Sequence, residues 1–237
     1  MSTEIPLVML PGSLCDERLF APQLAFFQGR RKTQVGSFTG CDSIAAMAEN
    51  ILATAPPSFA LLGLSMGGIV ALEIMRQAPH RVDRLALLNT NPYAQQVDAI
   101  GARRQQMQEI STGGLPALQS LVGSEFFPRY VTHKNLVNDS LKDTVLAMSE
   151  SAGLTVFQDQ WRALISRPDS AGTLADIECP TLILCGTEDQ MCSPQLHREM
   201  AALIKNCQLE IIADCGHLST LEAPATVNKL LQAWLNT

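Results

Sequence analysis

Ser65 stands in Gly63-Leu64-Ser65-Met66-Gly67-Gly68, between the apolar run Ser58-Phe59-Ala60-Leu61-Leu62 and a second one, Ile69-Val70-Ala71-Leu72-Glu73-Ile74-Met75. A strand can pass into a helix sharply here, because residues 63 and 67 bring no Cβ to the contact. Such a corner leaves the serine hydroxyl projecting above a sheet edge, with the Met66 N–H beside it and the field of a helix start favouring negative charge. A serine so placed can attack a carbonyl carbon, provided a base takes its proton and a carboxylate fixes the tautomer of that base. Of the four histidines, His217 in Asp214-Cys215-Gly216-His217-Leu218 is best placed, just beyond the last strand-like run. His80 follows a helix end, His133 lies among central helices and His197 falls inside a surface helix, where solvent or packing roles are expected. Asp189, in Gly186-Thr187-Glu188-Asp189, directly follows another strand-like run; Glu188 is its nearest rival and Asp214 a weaker one.

These residues need a scaffold that delivers three chain segments to one rim. Apolar runs at Ile5 to Leu10, Thr33 to Val35, Ser58 to Leu62, Val82 to Leu88, Thr181 to Gly186 and Gln208 to Ile212 read as strands. Between them lie helical stretches: Pro22 to Phe27, one capped by Asp42 or Ser43 and ended by Pro56-Pro57, one from the Ser65 corner to Ala78, one opened by Ser193-Pro194, and Pro224 to Leu235. Leu85, Leu87 and Leu88 are too continuously apolar for a half-solvated strand, so the rhythm predicts a doubly wound, mainly parallel α/β sheet covered on both faces. Ligands in such sheets sit beyond the carboxyl ends of the strands, where Ser13, Ser65 and Asn89-Thr90-Asn91 fall.

The rhythm breaks between Pro92 and Arg167. Leu115, Leu118, Leu121 and Val122 keep helical spacing; Ser140 caps a helix carrying Leu141, Val145, Met148 and Ala152, with Gly153 as its stop; a last helix spans Thr155 to Ile165. The expected organisation is therefore a core of residues 1–91 and 168–237, with residues 92–167 as a helical cap over the strand ends. Most apolar residues of that insert should pack among themselves, and the rest should roof the site.

With 46% hydrophobic and 17% charged residues in 237, the chain can fill one core. A net charge of −6, with basic runs only at Arg30-Arg31-Lys32 and Arg103-Arg104, disfavours a nucleic-acid partner. No apolar stretch reaches membrane-spanning length. The seven cysteines are odd in number and lack CxxC spacing, and no signal peptide precedes Ile5, so free thiols in a reducing cytoplasm are expected. Cys192, Cys215 and His217 could converge, but without closely spaced ligand pairs a zinc site is not expected.

The motifs resemble those of the α/β-hydrolase fold superfamily, and within it the small capped esterases, lactonases, carbon–carbon-bond hydrolases and cofactor-free haloperoxidase-like proteins. The corner Gly63-Leu64-Ser65-Met66-Gly67-Gly68 is similar to their nucleophile elbow, and Gly186-Thr187-Glu188-Asp189 with Ser193-Pro194 to their acid loop. Gly216-His217-Leu218-Ser219-Thr220-Leu221-Glu222-Ala223-Pro224 is similar to the histidine loop of enol-lactonase-like members. The resemblance implies a triad of Ser65, Asp189 and His217, with an oxyanion hole from the N–H of Met66 and that of Ser13, Leu14 being the register alternative. Two departures stand out. Pro11-Gly12-Ser13-Leu14 replaces the family's His-Gly-x loop, so Asp16 or Arg18 must shape it, and the chain leaves no room for the family's N-terminal hairpin. A six-stranded parallel sheet follows, with the second strand as its exposed edge, guarded by Arg30, Arg31 and Lys32.

The implied activity is hydrolysis of a small, neutral or weakly hydrophobic ester or lactone through an acyl-enzyme, with carbon–carbon hydrolysis or triad-bearing ligand binding as alternatives. A charged acyl group would want an arginine in the roof; Arg103, Arg104, Arg129 and Arg162 are the sources, and the sequence places none of them inward. No cofactor or metal is expected, and either a monomer or a homodimer fits.

Overall fold

The computed structural model describes residues 4–237; residues 1–3, which open the expected 1–91 segment and its N-terminal boundary, lie outside the described residues. Six strands form one parallel sheet: β1 Leu7–Leu10, β2 Thr33–Val35, β3 Phe59–Leu64, β4 Val82–Leu88, β5 Thr181–Gly186 and β6 Cys207–Ile212, in the order β2-β1-β3-β4-β5-β6. The second strand is an edge, as expected, and β6 is the other. Some boundaries differ from the sequence reading: β1 begins at Leu7 rather than Ile5, β6 at Cys207 rather than Gln208, and β3 starts at Phe59 and runs on through Gly63 and Leu64 to the corner itself. The glycine does not end that strand, because Gly63 pairs with Leu10 on one side and Leu87 on the other.

Alternation along the strands explains the unbroken apolar runs. Leu7, Met9, Ala60, Leu62, Ala86, Leu88, Leu182 and Leu184 face one core, while Val8, Leu10, Leu61, Leu85, Leu87 and Ile183 face the other. The second core is closed by α2 (Ile44–Thr54), α3 (Met66–Gln77) and α8 (Pro194–Leu203), through Met47, Ile51, Val70, Ile74 and Met200. Ser43, not Asp42, caps α2 by accepting the Ala46 N–H, and Ser193 caps α8 by accepting that of Leu196. The first core is closed by α1 (Ala21–Phe27) and α10 (Pro224–Leu235), joined by the helices between β4 and β5.

Those intervening helices are α4 (Val97–Leu121), a π-turn at Val122–Phe126, α5 (Phe127–Tyr130) and α6 (Asp139–Ser166), followed by the short α7 (Ala171–Ala175). Asn138 rather than Ser140 caps α6, since its side chain reaches the Leu141 N–H. Gly153 breaks the helical path at φ 71°, ψ −175°, so the expected stop and restart are there without a separating loop. Leu118, Phe126, Val145, Met148, Phe157 and Trp161 pack in the same cluster as Leu62, Leu64 and Leu88. The intervening helices therefore have no core separate from that face of the sheet. The remaining short elements are α9 (Ser219–Glu222) and 3-10 turns at Glu17–Phe20, capped by Asp16, at Pro79–Arg81 and at His133–Val137.

At the corner, space is the decisive quantity. A Cβ on residue 67 would stand 2.0 Å from the Leu10 carbonyl oxygen, and one on residue 63 would stand 2.3 Å from that of Gly67. Backbone, not a flexible side chain, occupies both places. Gly67→Ala is therefore expected to lower the free energy of unfolding by roughly 3 kcal/mol or more. Gly101→Ala, on α4 where nothing lies within 4 Å, should raise it by up to about 1 kcal/mol. Urea denaturation of the two variants beside the parent checks both signs.

Candidate active site

Four non-glycine residues among those described adopt positive φ: Leu14 (58°), Ser65 (55°), Asn89 (49°) and Asp214 (51°). Each follows the carboxyl end of a strand, β1, β3, β4 or β6, so backbone strain gathers on the rim that holds the site. Ser65, at ψ −117°, lies far from any relaxed conformation for a side-chain-bearing residue. Its carbonyl is held by the Thr90 hydroxyl at 2.6 Å and by the N–H of Gly68 at 2.9 Å. Thr90 is held in turn, because its N–H donates to His197 Nε2 at 3.1 Å while His197 Nδ1 donates to the Ser193 carbonyl at 2.9 Å. His197 thus faces inward and is fully buried, although its helix is on the surface; burial lowers its pKa and keeps it the neutral acceptor that Thr90 needs.

Ser65, His217 and Asp189 meet. His217 Nε2 lies 3.0 Å from Ser65 Oγ, and Nδ1 lies 2.9 and 3.0 Å from the two Asp189 oxygens. A carboxylate only accepts, so Nδ1 carries the proton and Nε2 is left free to accept from the serine. The buried Asp189 is saturated with partners: one oxygen accepts the N–H groups of Met191 and Cys192, and the other accepts Asn89 Nδ2 at 2.9 Å. Burial works to raise its pKa, but the electrostatic attraction and hydrogen bond of His217, with the hydrogen bonds from Asn89 and the Cys192 amide, outweigh it and hold the carboxyl below the ordinary range. The rivals Glu188 and Asp214 are both exposed.

Asn89 was legible only as a strand-end residue, yet it is the hub of this layer. It donates to Asp189 and to the Gly216 carbonyl and accepts from Ser219 Oγ at 2.6 Å. Its left-handed backbone, which asparagine tolerates better than most residues, turns that amide inward. The histidine loop is moored to α5. The N–H groups of His217 and Leu218 donate to the Tyr130 carbonyl, the Tyr130 ring stacks on His217 at 5.6 Å, and Glu222 accepts from Gly216, Thr132 and Asn135. The side-chain roles of Tyr130 and Glu222 escaped sequence reading, since both partner residues distant in the chain.

On the far side, the Leu14 N–H donates to Gln160 Oε1 at 2.8 Å. Ser13 lines the site together with Ser65 and Met66, and the Met66 N–H opens α3, where no intrahelical acceptor exists. Asp16 caps the turn after this loop and pairs with Arg18, which reaches Ser151 of α6. Both residues proposed to shape the loop therefore take part.

Residues 28–224 match the family described as alpha/beta hydrolase fold. The chain belongs to that family. Among curated proteins it is 29% identical over 184 residues to an (E)-2-((N-methylformamido)methylene)succinate hydrolase of Acinetobacter baylyi, an alignment covering 75% of this chain and 65% of that longer protein. Among solved structures it resembles an esterase from Thermogutta terrifontis, at TM-score 0.88 and 24% identity over 99% of this chain and 90% of the other. It also resembles an enol-lactonase from Burkholderia xenovorans, at TM-score 0.85 and 20% identity over 98% and 92%. These two share its fold. No helix among the described residues of this alpha/beta hydrolase is long and apolar enough to cross a membrane.

A cavity of about 280 Å³ opens over Ser65 and His217, and its wall carries charge that the sequence did not place there. Arg103, Arg129 and Arg167 line it beside Gln95, Gln106, Tyr130 and Trp161. Arg104 and Arg162 do not; Arg162 pairs with Asp159. Helical phase decides this, because Ala99, Ala102, Arg103 and Gln106 share the face of α4 that looks into the cavity, and residue 104 turns away.

A depressed carboxylate pKa makes stability depend on pH in one direction. Asp189 contributes fully above its unfolded-state value, about 3.9, and the contribution fades as pH falls through its lower folded-state value. The parent should lose unfolding free energy more steeply than Asp189→Asn below about pH 4. Denaturant titrations from pH 6 down to pH 2.5 read the two slopes, and parallel curves would contradict the assignment.

Proposed function

We propose that this chain is a serine hydrolase cleaving a small carboxylic ester or lactone through an acyl-enzyme, with Ser65 as nucleophile, His217 as base and Asp189 as its orienting carboxylate. The observation that carries this reading is the 3.0 Å approach of His217 Nε2 to Ser65 Oγ at a cavity wall, with Nδ1 committed to Asp189. In the forward step His217 takes the Ser65 proton, and Oγ bonds to the acyl carbon. The oxyanion is held by the N–H groups of Ser13 and Met66. Ser13 is preferred to Leu14 because the Leu14 N–H is already engaged by Gln160. Collapse breaks the bond to the leaving oxygen, which takes the proton from His217. Water then loses a proton to His217 and attacks the acyl carbon, Ser65 Oγ recovers that proton, and the acid departs.

The helices of residues 92–167 act in this scheme as a cap: Gln160 shapes the oxyanion loop, and Tyr130 backs the histidine. Strain at Ser65 serves pre-organisation, because the hydroxyl is presented without a rotation to complete during attack.

Short-chain 4-nitrophenyl esters and a fluorophosphonate probe test this reading. The parent should turn over the esters and be labelled at Ser65, while Ser65→Ala should lose both and remain folded by circular dichroism. Asp189→Asn should lower kcat on the order of 10⁴-fold, since the wrong histidine tautomer then faces the serine. Near-parental turnover in folded Ser65→Ala would end the proposal, and labelling without turnover of any ester, thioester or lactone would favour a ligand-binding role.

A further inference from the structure

The cavity holds more positive charge than the proposed chemistry uses. Three arginines line it, and none of its lining residues is an aspartate or glutamate. Among the described residues no carboxylate forms an ion pair with Arg103, Arg129 or Arg167, in a chain whose acids outnumber its Lys and Arg by six. Half-buried guanidinium groups without a counter-charge are costly to keep, so their gathering at one wall calls for a partner.

How the two half-buried arginines are anchored says which partner. Arg103 donates through Nε to Gln95 Oε1 at 3.2 Å, with its guanidinium 4.9 Å from the Trp161 ring centre. Arg167 donates through Nε to the Tyr93 carbonyl at 2.9 Å. In each, the inner nitrogen is tied down, and among the described residues the terminal nitrogens have no protein acceptor. A planar pair of terminal N–H groups held from behind is the fork that receives a carboxylate. Burial, and the nearby charge of Arg167, push Arg103 down to about 10, which still leaves it protonated at neutral pH. Burial raises the Tyr130 phenol, so that side chain stays a neutral hydrogen-bond donor in the same wall.

We infer that the substrate carries a free carboxylate besides the bond that is cleaved, and that Arg103 and Arg167, with the more exposed Arg129, receive it while Ser65 faces the ester or lactone carbonyl. This rests on the hydrolase reading and narrows it, from any small ester to half-esters of dicarboxylic acids and lactones bearing an acid group. The small cavity suits such a molecule. The arginines act as binding residues that orient the acyl group and take no part in proton transfer.

The test uses monomethyl esters of succinate, glutarate and adipate beside the corresponding dimethyl esters. Calorimetry on Ser65→Ala should show at least one monoester binding ten- to a hundredfold more tightly than its dimethyl partner, the range expected when a charge-assisted pair replaces a neutral contact. The same preference should appear in kcat/KM of the parent. Arg103→Met or Arg167→Gln, each in the Ser65→Ala background, should shrink the binding preference at least tenfold. Arg129→Gln, at an exposed position that tolerates change, should shrink it less but measurably and covers the case in which the other variants misfold. Equal binding of monoesters and dimethyl esters at every chain length would overturn the inference, and turnover of the neutral esters would then leave the hydrolase reading standing. An arginine-dependent preference in a protein that hydrolyses none of these esters and resists fluorophosphonate would sustain the anion site and remove the hydrolase reading instead.

Discussion

A backbone carbonyl, that of Leu10, occupies the place where a methyl group on residue 67 would have to stand. Helix α3 and the end of β1 approach that closely only because Gly67 presents nothing but hydrogen, and β3 reaches the same corner only because Gly63 does likewise. The contact fixes where the first turn of α3 begins and therefore where the Ser65 hydroxyl and Met66 N–H emerge. It also brings the Ser13 loop, at the end of β1, alongside the serine at the end of β3. Since β1 is the strand from which the chain first runs outward to β2 and then crosses to β3, the corner opens at the switch point of the sheet. A looser approach would relax Ser65 into ordinary dihedral space and lose the aim of its hydroxyl.

The strained residue is stabilised by its surroundings. The Thr90 hydroxyl grips the Ser65 carbonyl and His197 holds the Thr90 N–H, while β4, which leads into Thr90, and α8, which carries His197, are fixed by the second core. Asp189 poses the complementary problem of a buried charge, whose desolvation would be prohibitive if its oxygens were unpaired. Two backbone N–H groups, the Asn89 amide and the imidazole satisfy it. Each of these partners also positions something else: Asn89 holds the Gly216 carbonyl, and the Met191 and Cys192 amides shape the loop before α8. Orienting the histidine and folding the loops are accordingly one set of hydrogen bonds rather than two.

The helices between β4 and β5 show how a shared core couples specificity to scaffold. Trp161 packs against Phe126 and Phe157, Phe126 stacks towards Tyr130, and Tyr130 lies on His217, so an aromatic row runs from helix interior to imidazole. The same Trp161 ring carries the Arg103 guanidinium. One apolar stack therefore supports both His217 beside Ser65 and the Arg103 guanidinium across the cavity.

The sequence alone determined the parallel sheet, its strand order at the β2 edge and the identities of the three residues that meet. Strands buried on both faces must be continuously apolar, and the Ser65 corner, Asp189 and His217 each follow such a run by a few residues; local patterning therefore places them on one rim. Partnership across the fold leaves no such mark. Whether Arg103 or Arg104 points inward depends on the phase of α4 against Trp161, the hydrogen bond from Asn89 to Asp189 crosses between strand ends, and His197 looks like a surface residue until α8 is seated under Thr90. Only tertiary structure decided these, because a side chain's environment is set by whichever distant segment packs against it. The three residues that meet could be read in one dimension, and the charge of the pocket beside them could not.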